Sequence, residues 1–229
     1  MKKIFTIALC CLGMAAMLTS CGGSQKKAAA EAEAAAAAQA EADSIAAVVA
    51  QKVADQIAQL PEEPVFDIVT TDGIIKIKLY SQTPKHRENF AKLALSGFYD
   101  GLLFHRVING FMIQGGDPLT RDKANADKFG TGGPGYTIEA EFVPEYKHKK
   151  GALAAARRGD TANPMKESSG SQFYLVQDEA ACAQLNGDYT VFGETIEGLD
   201  VIDAIASVPT GARDLPERDV KIIKIQLAE

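Results

Sequence analysis

The chain has 229 residues, with 30 acidic against 24 basic side chains and a formal net charge of −6. This acidic balance argues against binding to nucleic acid, because a phosphate backbone attracts basic surfaces. The three histidines, His86, His105 and His148, stand apart and lack the H-x-x-x-H spacing of a metal site. The sequence therefore predicts neither a metal nor another cofactor.

The first 20 residues have the layout of an export signal. Two lysines follow Met1, and an apolar stretch at 4–18 leads to Ser20 and Cys21. The stretch is short for a membrane span of about 20 residues, which disfavours the alternative of an uncleaved anchor helix. The end of the stretch resembles the lipobox of bacterial lipoproteins, in which the cysteine is lipidated after cleavage. The resemblance implies a lipoprotein of the bacterial cell envelope, anchored to the membrane through Cys21 and facing the periplasm.

Residues 21–63 form an alanine-rich segment. Residues 28–60 contain sixteen alanines and neither glycine nor proline, which favours a helix that Pro61 then ends. A wholly helical segment of this length would extend about 50 Å and act as a stalk. One side of its second half carries an apolar stripe, made of Ile45, Val49, Val53, Ile57 and Leu60. Three alternatives remain for the stalk: packing on the following domain, self-association with a second stalk, or exposure to water.

Residues 64–229 are predicted to form one mainly β domain. The elements predicted there, in chain order, are a hairpin of strands at 65–70 and 74–80, a helix from Pro84 that ends before Gly97, a helix at 199–206 and a strand at 220–227. Thr83 is the predicted N-cap of the first of these helices. Strands divided by two helices predict a closed antiparallel barrel whose ends the helices cover.

The middle of this domain places one arginine among apolar residues. Two short strands are predicted at 102–108 and 111–114, around a tight turn at Asn109-Gly110. This pairing would bring Arg106 near Phe111, Met112 and Gln114. The stretch has no activated nucleophile and no carboxylate pair, so it suits a reaction without covalent steps.

Rotation about an X-Pro peptide bond is such a reaction, with a barrier of roughly 18–20 kcal/mol. A catalyst has to favour the twisted amide, whose nitrogen becomes a hydrogen-bond acceptor. Arg106 is the predicted donor, Gln114 its predicted support, and Phe111 and Met112 the apolar pocket for the proline ring.

Four sequence blocks resemble those of the cyclophilins, the peptidyl-prolyl cis-trans isomerases. Residues 104–117 read FHRVINGFMIQGGD, and the other three are GTGGPGY at 130–136, GSQFYL at 170–175 and TVFG at 190–193. The resemblance covers residues 65–227. It implies a closed eight-stranded antiparallel barrel capped by two helices, and it implies proline-containing polypeptides as partners.

The resemblance also assigns residues to roles. It implies that Arg106 and Gln114 are catalytic, and that the substrate is held by eight further residues: Phe111, Met112, Ala156, Arg157, Gln172, Tyr174, Leu185 and Tyr189. The chain departs from the family at three of its groove positions, with Arg157 where eukaryotic members carry Asn, Gln184 where many carry Trp, and Tyr189 where a His closes the pocket.

Two further features complete the predictions. Residues 119–129 look like an insertion, whose polar composition predicts a surface loop. Cys182 is the one thiol left after export and lipidation, and it is predicted to be buried. Besides an active isomerase that assists the folding of exported proteins, two alternatives remain: a peptide-binding module without turnover, and a structural lipoprotein in which the stalk carries the function.

Overall fold

The first element is a long helix, α1 (Gly22–Ala58), in a computed structural model that describes residues 22–229. Its alanine-rich composition accounts for the helix, and Pro61 follows its end because proline cannot continue the hydrogen-bond ladder. Among the described residues, no helix is both long enough and apolar enough to cross a bilayer. The predicted signal peptide, residues 1–20, and the predicted lipidation site, Cys21, lie outside the described residues.

The chain divides into two compact units, one ending at Ala47 and the other formed by Val48–Glu229. In the first unit, the side chains of residues 32–47 are exposed to solvent. In the second unit, Val53 is buried and Leu60 packs against the hydrophobic core. The last part of the apolar stripe is therefore covered within its own unit.

The second unit is built on one antiparallel sheet. Residues 22–229 contain nine strands: β1 (Val65–Thr70), β2 (Gly73–Leu79), β3 (Arg106–Ile108), β4 (Met112–Gly115), β5 (Thr137–Ile138), β6 (Ala152–Arg157), β7 (Ser168–Val176), β8 (Val191–Glu197) and β9 (Ile222–Leu227). Eight of them follow the order β3-β4-β7-β6-β8-β2-β1-β9, and β5 pairs with β7. The predicted hairpin is present as β1 and β2.

The sheet curls into a half-barrel, and the prediction of a closed barrel is wrong. The two ends of the strand order are β3 and β9, and β3 spans only three residues. The segment just before β3 meets the segment just before β9 through an isolated bridge between Leu103 and Lys221. Three backbone hydrogen bonds lie beside it, from Phe104 N–H to Val220 O (2.9 Å), from Gly101 N–H to Ile222 O (2.8 Å) and from Ile222 N–H to Leu102 O (2.8 Å). These contacts form an isolated bridge and not a regular strand pairing, so the right-handed twist curls the sheet without closing it into a barrel.

Two helices cover the sheet, α2 (Pro84–Leu95) and α4 (Leu199–Ala206), and a short helix, α3 (Glu179–Cys182), follows β7. Thr83 precedes α2 but makes no side-chain capping bond. The carboxylate of Glu141 accepts the amide hydrogens of Lys85 (3.1 Å) and His86 (3.0 Å) instead. An acidic side chain from another segment therefore replaces the predicted cap. Its negative charge also interacts favourably with the positive, N-terminal end of the helix dipole.

The inserted segment at 119–129 is more regular than a loop. It consists of two 3-10 turns, Pro118–Arg121 and Lys123–Lys128, and most of its side chains are exposed. Asp117 and Asp122 each accept a backbone N–H at the start of one turn. Because these carboxylates satisfy the free amides, the polar sequence can form helical turns on the surface.

Candidate active site

Strand β7 is buried on both of its faces and separates two hydrophobic clusters. Phe173 and Leu175 lie in the inner core, which the helices cover. Tyr174 and Val176 lie in a second cluster on the opposite face of the sheet. Successive residues of a strand point to opposite faces, which explains the alternation. The second cluster, hereafter the groove-side cluster, forms the apolar part of the candidate site.

The register of three strands places Arg106 at the edge of this cluster. Arg106 of β3 pairs with Gln114 of β4, and Gln114 pairs with Tyr174 of β7. The next row on the same face holds Ile108 and Met112, both in or against the groove-side cluster. A guanidinium therefore borders an apolar surface, as the sequence predicts.

The hydrogen bonds of this row differ from the prediction. Arg106 Nε donates to Asp214 Oδ2 at 3.3 Å, and the Arg106 side chain is 42% exposed. Gln114 Nε2 donates to Gln172 Oε1 at 3.0 Å and so holds another glutamine. The polar support expected from Gln114 thus comes from Asp214. Sequence reasoning missed Asp214, because it lies 108 positions away from Arg106 and no pattern links the two.

A glycine-rich loop at 130–135 forms the polar side of the site. Gln172 Nε2 donates to the carbonyl oxygens of Gly130 (3.0 Å) and Gly132 (2.7 Å). The fully buried carboxylate of Asp117 accepts the amide hydrogens of the same two glycines at 2.5 and 3.1 Å. A Cβ on Gly132 would lie 2.1 Å from Asp117 Oδ1, so only glycine fits there. Beside this loop opens a cavity of about 560 Å³, whose lining includes Gln114, Ala156, Arg157 and Gln172.

The predicted pocket residues gather in the groove-side cluster. Met112, Ala156 and Tyr174 are buried in it, and Phe111, Leu185 and Tyr189 are partly buried against it. The rings of Tyr174 and Tyr189 meet edge to face with centroids 6.1 Å apart. This arrangement presents apolar ring surface next to Arg106, as a site for a proline ring requires.

Arg157 holds one wall of this pocket. Its side chain is 4% exposed, its Nε donates to Asp188 O at 2.8 Å, and its Nη1 contacts Asp160 Oδ1 at 2.5 Å. The guanidinium carbon lies 4.4 Å from the centre of the Tyr189 ring, which is a cation–π geometry. The guanidinium is therefore engaged within the protein, while Ala156 and Arg157 both line the cavity.

The comparisons with known proteins agree with this geometry. Residues 65–227 match the family described as cyclophilin type peptidyl-prolyl cis-trans isomerase/CLD. The chain belongs to the cyclophilin family. It is 38% identical over 165 residues to peptidyl-prolyl cis-trans isomerase-like 1 of Homo sapiens, across 71% of this chain and 92% of that protein. It is 40% identical over 167 residues to peptidyl-prolyl cis-trans isomerase-like 2 of Rhizopus delemar, across 70% of this chain but 28% of that longer protein.

Solved cyclophilin structures share the fold. The cyclophilin type peptidyl-prolyl cis-trans isomerase of Cryptosporidium parvum has a TM-score of 0.64 and 32% sequence identity, covering 73% of this chain and 98% of that one. A second structure of that protein, in the presence of the dipeptide Ala-Pro, has a TM-score of 0.63. The cyclophilin described here is therefore an isomerase of X-Pro bonds, as its sequence predicts.

Two buried histidines of this cyclophilin border the site. His148 lies behind Tyr174: its Nε2 accepts the Tyr174 hydroxyl at 2.8 Å, and its Nδ1–H donates to Asn186 Oδ1 at 2.9 Å. His105 precedes Arg106, and neither of its ring nitrogens has a hydrogen-bond partner among the described residues. Burial lowers the pKa of both histidines below the usual value. Both are therefore neutral at pH 7, and sequence reasoning did not identify the part that His148 plays in supporting the pocket.

The remaining polar candidates are structural. His86 Nδ1 lies 2.6 Å from Glu141 Oε2 at the start of α2, away from the groove. Gln184, at the position of a family Trp, is exposed and donates to Ala181 O. Within residues 22–229, no group of three or more His, Cys, Asp or Glu side chains suits a metal ion.

Proposed function

We propose that this cyclophilin accelerates X-Pro rotation in exported proteins, with Arg106 as the donor to the twisted amide nitrogen. The observation that carries the proposal is the row of Arg106, Gln114 and Tyr174 across three strands, which sets one cation at the rim of an apolar cluster. The reaction needs such a pair of environments, because the proline ring is apolar and the twisted nitrogen is a hydrogen-bond acceptor.

The remaining residues have distinct tasks in this mechanism. The proline ring enters between Phe111, Met112, Tyr174, Leu185 and Tyr189, which exclude water from the rotating bond. The Ala-Pro dipeptide present with the Cryptosporidium parvum relative supports a proline-containing substrate here. The chain that precedes the proline runs past Gln172 and the backbone of residues 156–157, where the large cavity opens. Gln114 acts through Gln172, which it binds and which orders the glycine-rich loop.

The test is cis-trans exchange of an X-Pro peptide, measured by NMR with the full-length protein. Removing one preorganised donor lowers kcat by roughly 10²–10³, so Arg106→Ala is expected to lose that much exchange. Arg218→Ala is the matched control, because Arg218 is an exposed arginine that pairs with Asp72 at the turn between β1 and β2, outside the groove. Equal exchange in the parent and in Arg106→Ala would contradict the role of Arg106. A folded parent without exchange would favour the peptide-binding module.

The sequence also supports a location at the bacterial cell envelope, with a lipid on Cys21 and α1 as a stalk that holds the domain off the membrane. Metabolic labelling with an alkyne fatty acid tests the lipid: label is expected on the parent and absent from Cys21→Ser. Ile45 and Val49 of the apolar stripe are exposed and available for self-association of the stalk. Crosslinking at Ile45→Cys is expected to capture a dimer, and a monomer at all concentrations would exclude it.

A further inference from the structure

The turn at residues 211–215 lies beside β3, the strand that carries Arg106, and two of its residues have an unusual backbone conformation. Arg213 and Asp214 are consecutive residues with left-handed φ angles of 62° and 59°. The turn is closed by a hydrogen bond of 2.8 Å from Gly211 N–H to Leu215 O. Side chains with a Cβ disfavour this conformation, so two in succession need support from their surroundings.

The support comes from the inserted segment at 119–129. Arg213 Nη1 donates to Asp127 O at 2.9 Å, and Arg213 Nη2 donates to Ala126 O. Both acceptors belong to the second 3-10 turn of the insertion, Lys123–Lys128. A planar guanidinium that binds two adjacent carbonyls fixes both the position and the orientation of the turn that carries it.

The fixed turn directs a carboxylate at Arg106. Asp214 Oδ2 accepts from Arg106 Nε at 3.3 Å, which leaves both terminal nitrogens of the guanidinium for an acceptor in the groove. A cavity of about 340 Å³ opens at this point, lined by Arg106, Gln114 and Asp214 among others. The side chains of Arg106 and Asp214 are both about two-fifths exposed, so this ion pair contributes little to the stability of the fold. Its effect is to fix the orientation of the flexible Arg106 side chain.

We propose that Asp214 is a positioning residue for Arg106. Its carboxylate holds Nε, so the guanidinium is already oriented when the X-Pro bond arrives, and Arg213 holds that carboxylate by its bonds to the insertion. The insertion thereby contributes to catalysis without touching substrate. This inference rests on the proposed role of Arg106 as donor.

The experiment measures kcat and KM of the full-length protein with an X-Pro peptide. Asp214→Gly deletes the carboxylate, and glycine tolerates the left-handed backbone at this position. The variant is expected to lower kcat roughly ten- to a hundredfold with KM little changed, because a misplaced catalytic group lowers kcat. Asp214→Asn keeps an acceptor oxygen and is expected to restore part of kcat. Arg213→Asn, which also tolerates positive φ, is expected to lower kcat less. Glu197→Gln is the control, because Glu197 forms an exposed ion pair with Lys76 away from the groove.

A second readout shows that the effect passes through Arg106. In an Arg106→Ala background, Asp214→Gly is expected to cause no further loss. The Arg106 Nε–H resonance in ¹⁵N NMR is expected to move to the position of a free arginine in Asp214→Gly and to stay unchanged in Glu197→Gln.

The possible failures are distinct. Full activity in Arg106→Ala would overturn the proposed role of Arg106 itself. Loss in Arg106→Ala together with full activity in Asp214→Gly would overturn only the role of Asp214. An equal loss from Asp214→Gly in both backgrounds, or a gain in kcat, would also overturn it, because the carboxylate would then act independently of Arg106 or compete with substrate.

Discussion

The two faces of β7 differ in what they need from the rest of the chain. On the inner face, Phe173 packs against other aromatic rings, including Phe90 and Tyr99, through apolar ring contacts. On the groove side, Tyr174 and Gln172 are equally buried, but each makes a hydrogen bond to a distant segment. The inner face therefore depends on volume and shape, whereas the groove side depends on the pairing of individual polar atoms.

The largest effect on stability is expected from the inner face. Phe173→Ala removes a fully buried ring and leaves a cavity, which should lower the free energy of unfolding by about 3–5 kcal/mol. Urea denaturation measures this loss, and Phe142→Ala, at an exposed ring, is the control. The folded fraction of the variant should keep its kcat within a few-fold. A loss below about 1 kcal/mol would show that the inner face can collapse around the gap.

A smaller effect is expected one residue further along the same strand. Tyr174→Phe keeps the ring and removes the hydroxyl, so His148 Nε2 is left buried without its partner. This should lower the free energy of unfolding by about 1–3 kcal/mol while catalysis persists, since the apolar pocket wall remains. Tyr136→Phe removes a hydroxyl that bonds Asn89 at 2.7 Å on an exposed ring, and it should change little. Equal effects in the two variants would contradict the importance of polar pairing on the groove side.

These differences also explain which features the sequence could predict. The helix Leu199–Ala206 and the hairpin turn at Asn109-Gly110 follow from local patterns, and both are present. Phe111, Met112 and Tyr174 could be predicted as pocket residues because they lie within family motifs. The ion pair of Asp214 with Arg106 follows from no local pattern, because it depends on how distant loops meet.

The same reason accounts for the errors. The amides at the start of α2 can donate to any suitably placed oxygen, and the carboxylate of Glu141, from another segment, accepts these hydrogen bonds where Thr83 does not. Closure of the sheet depends on the summed length and twist of all its strands, and a three-residue strand at one end is not visible in the hydrophobic pattern.

The pH dependence of the free energy of unfolding is expected to reflect the buried histidines beside the groove. A histidine whose pKa is lowered in the folded protein stays neutral there, whereas in the unfolded chain it is protonated below its usual pKa of about 6.5. Below that pH the unfolded chain therefore binds more protons than the folded protein. Stability is then complete above that pH and declines as pH falls below it, by at most about 1.4 kcal/mol per pH unit for each such histidine. His148→Gln should reduce this slope between pH 6.5 and 5, and His105 should account for part of what remains.

Urea titrations at several pH values measure the slope. Glu141 acts at lower pH. Burial raises the pKa of its carboxyl, but the hydrogen bonds from His86 and Lys85 together outweigh burial and lower that pKa, so its stabilisation is lost only as pH falls below about 4.5. An unchanged slope in His148→Gln would mean that this histidine is as easily protonated in the fold as in the unfolded chain.

The smallest effect is expected at Cys182, which tests how closed the groove-side cluster is. Its thiol is fully buried, and burial raises its pKa to about 11, so the reactive thiolate is scarce near neutral pH. Its Sγ lies 3.4 Å from Phe111 O, at the rim of the pocket. A disulfide reagent at pH 8 should therefore react slowly with the native protein and rapidly in urea, and a bound X-Pro peptide should leave the slow rate unchanged. If the Cys182 thiol of the native protein instead reacted fast, and the bound peptide slowed this reaction, the groove side would open to solvent far more often than the inner face. The polar pairs of the groove side would then form only when substrate binds.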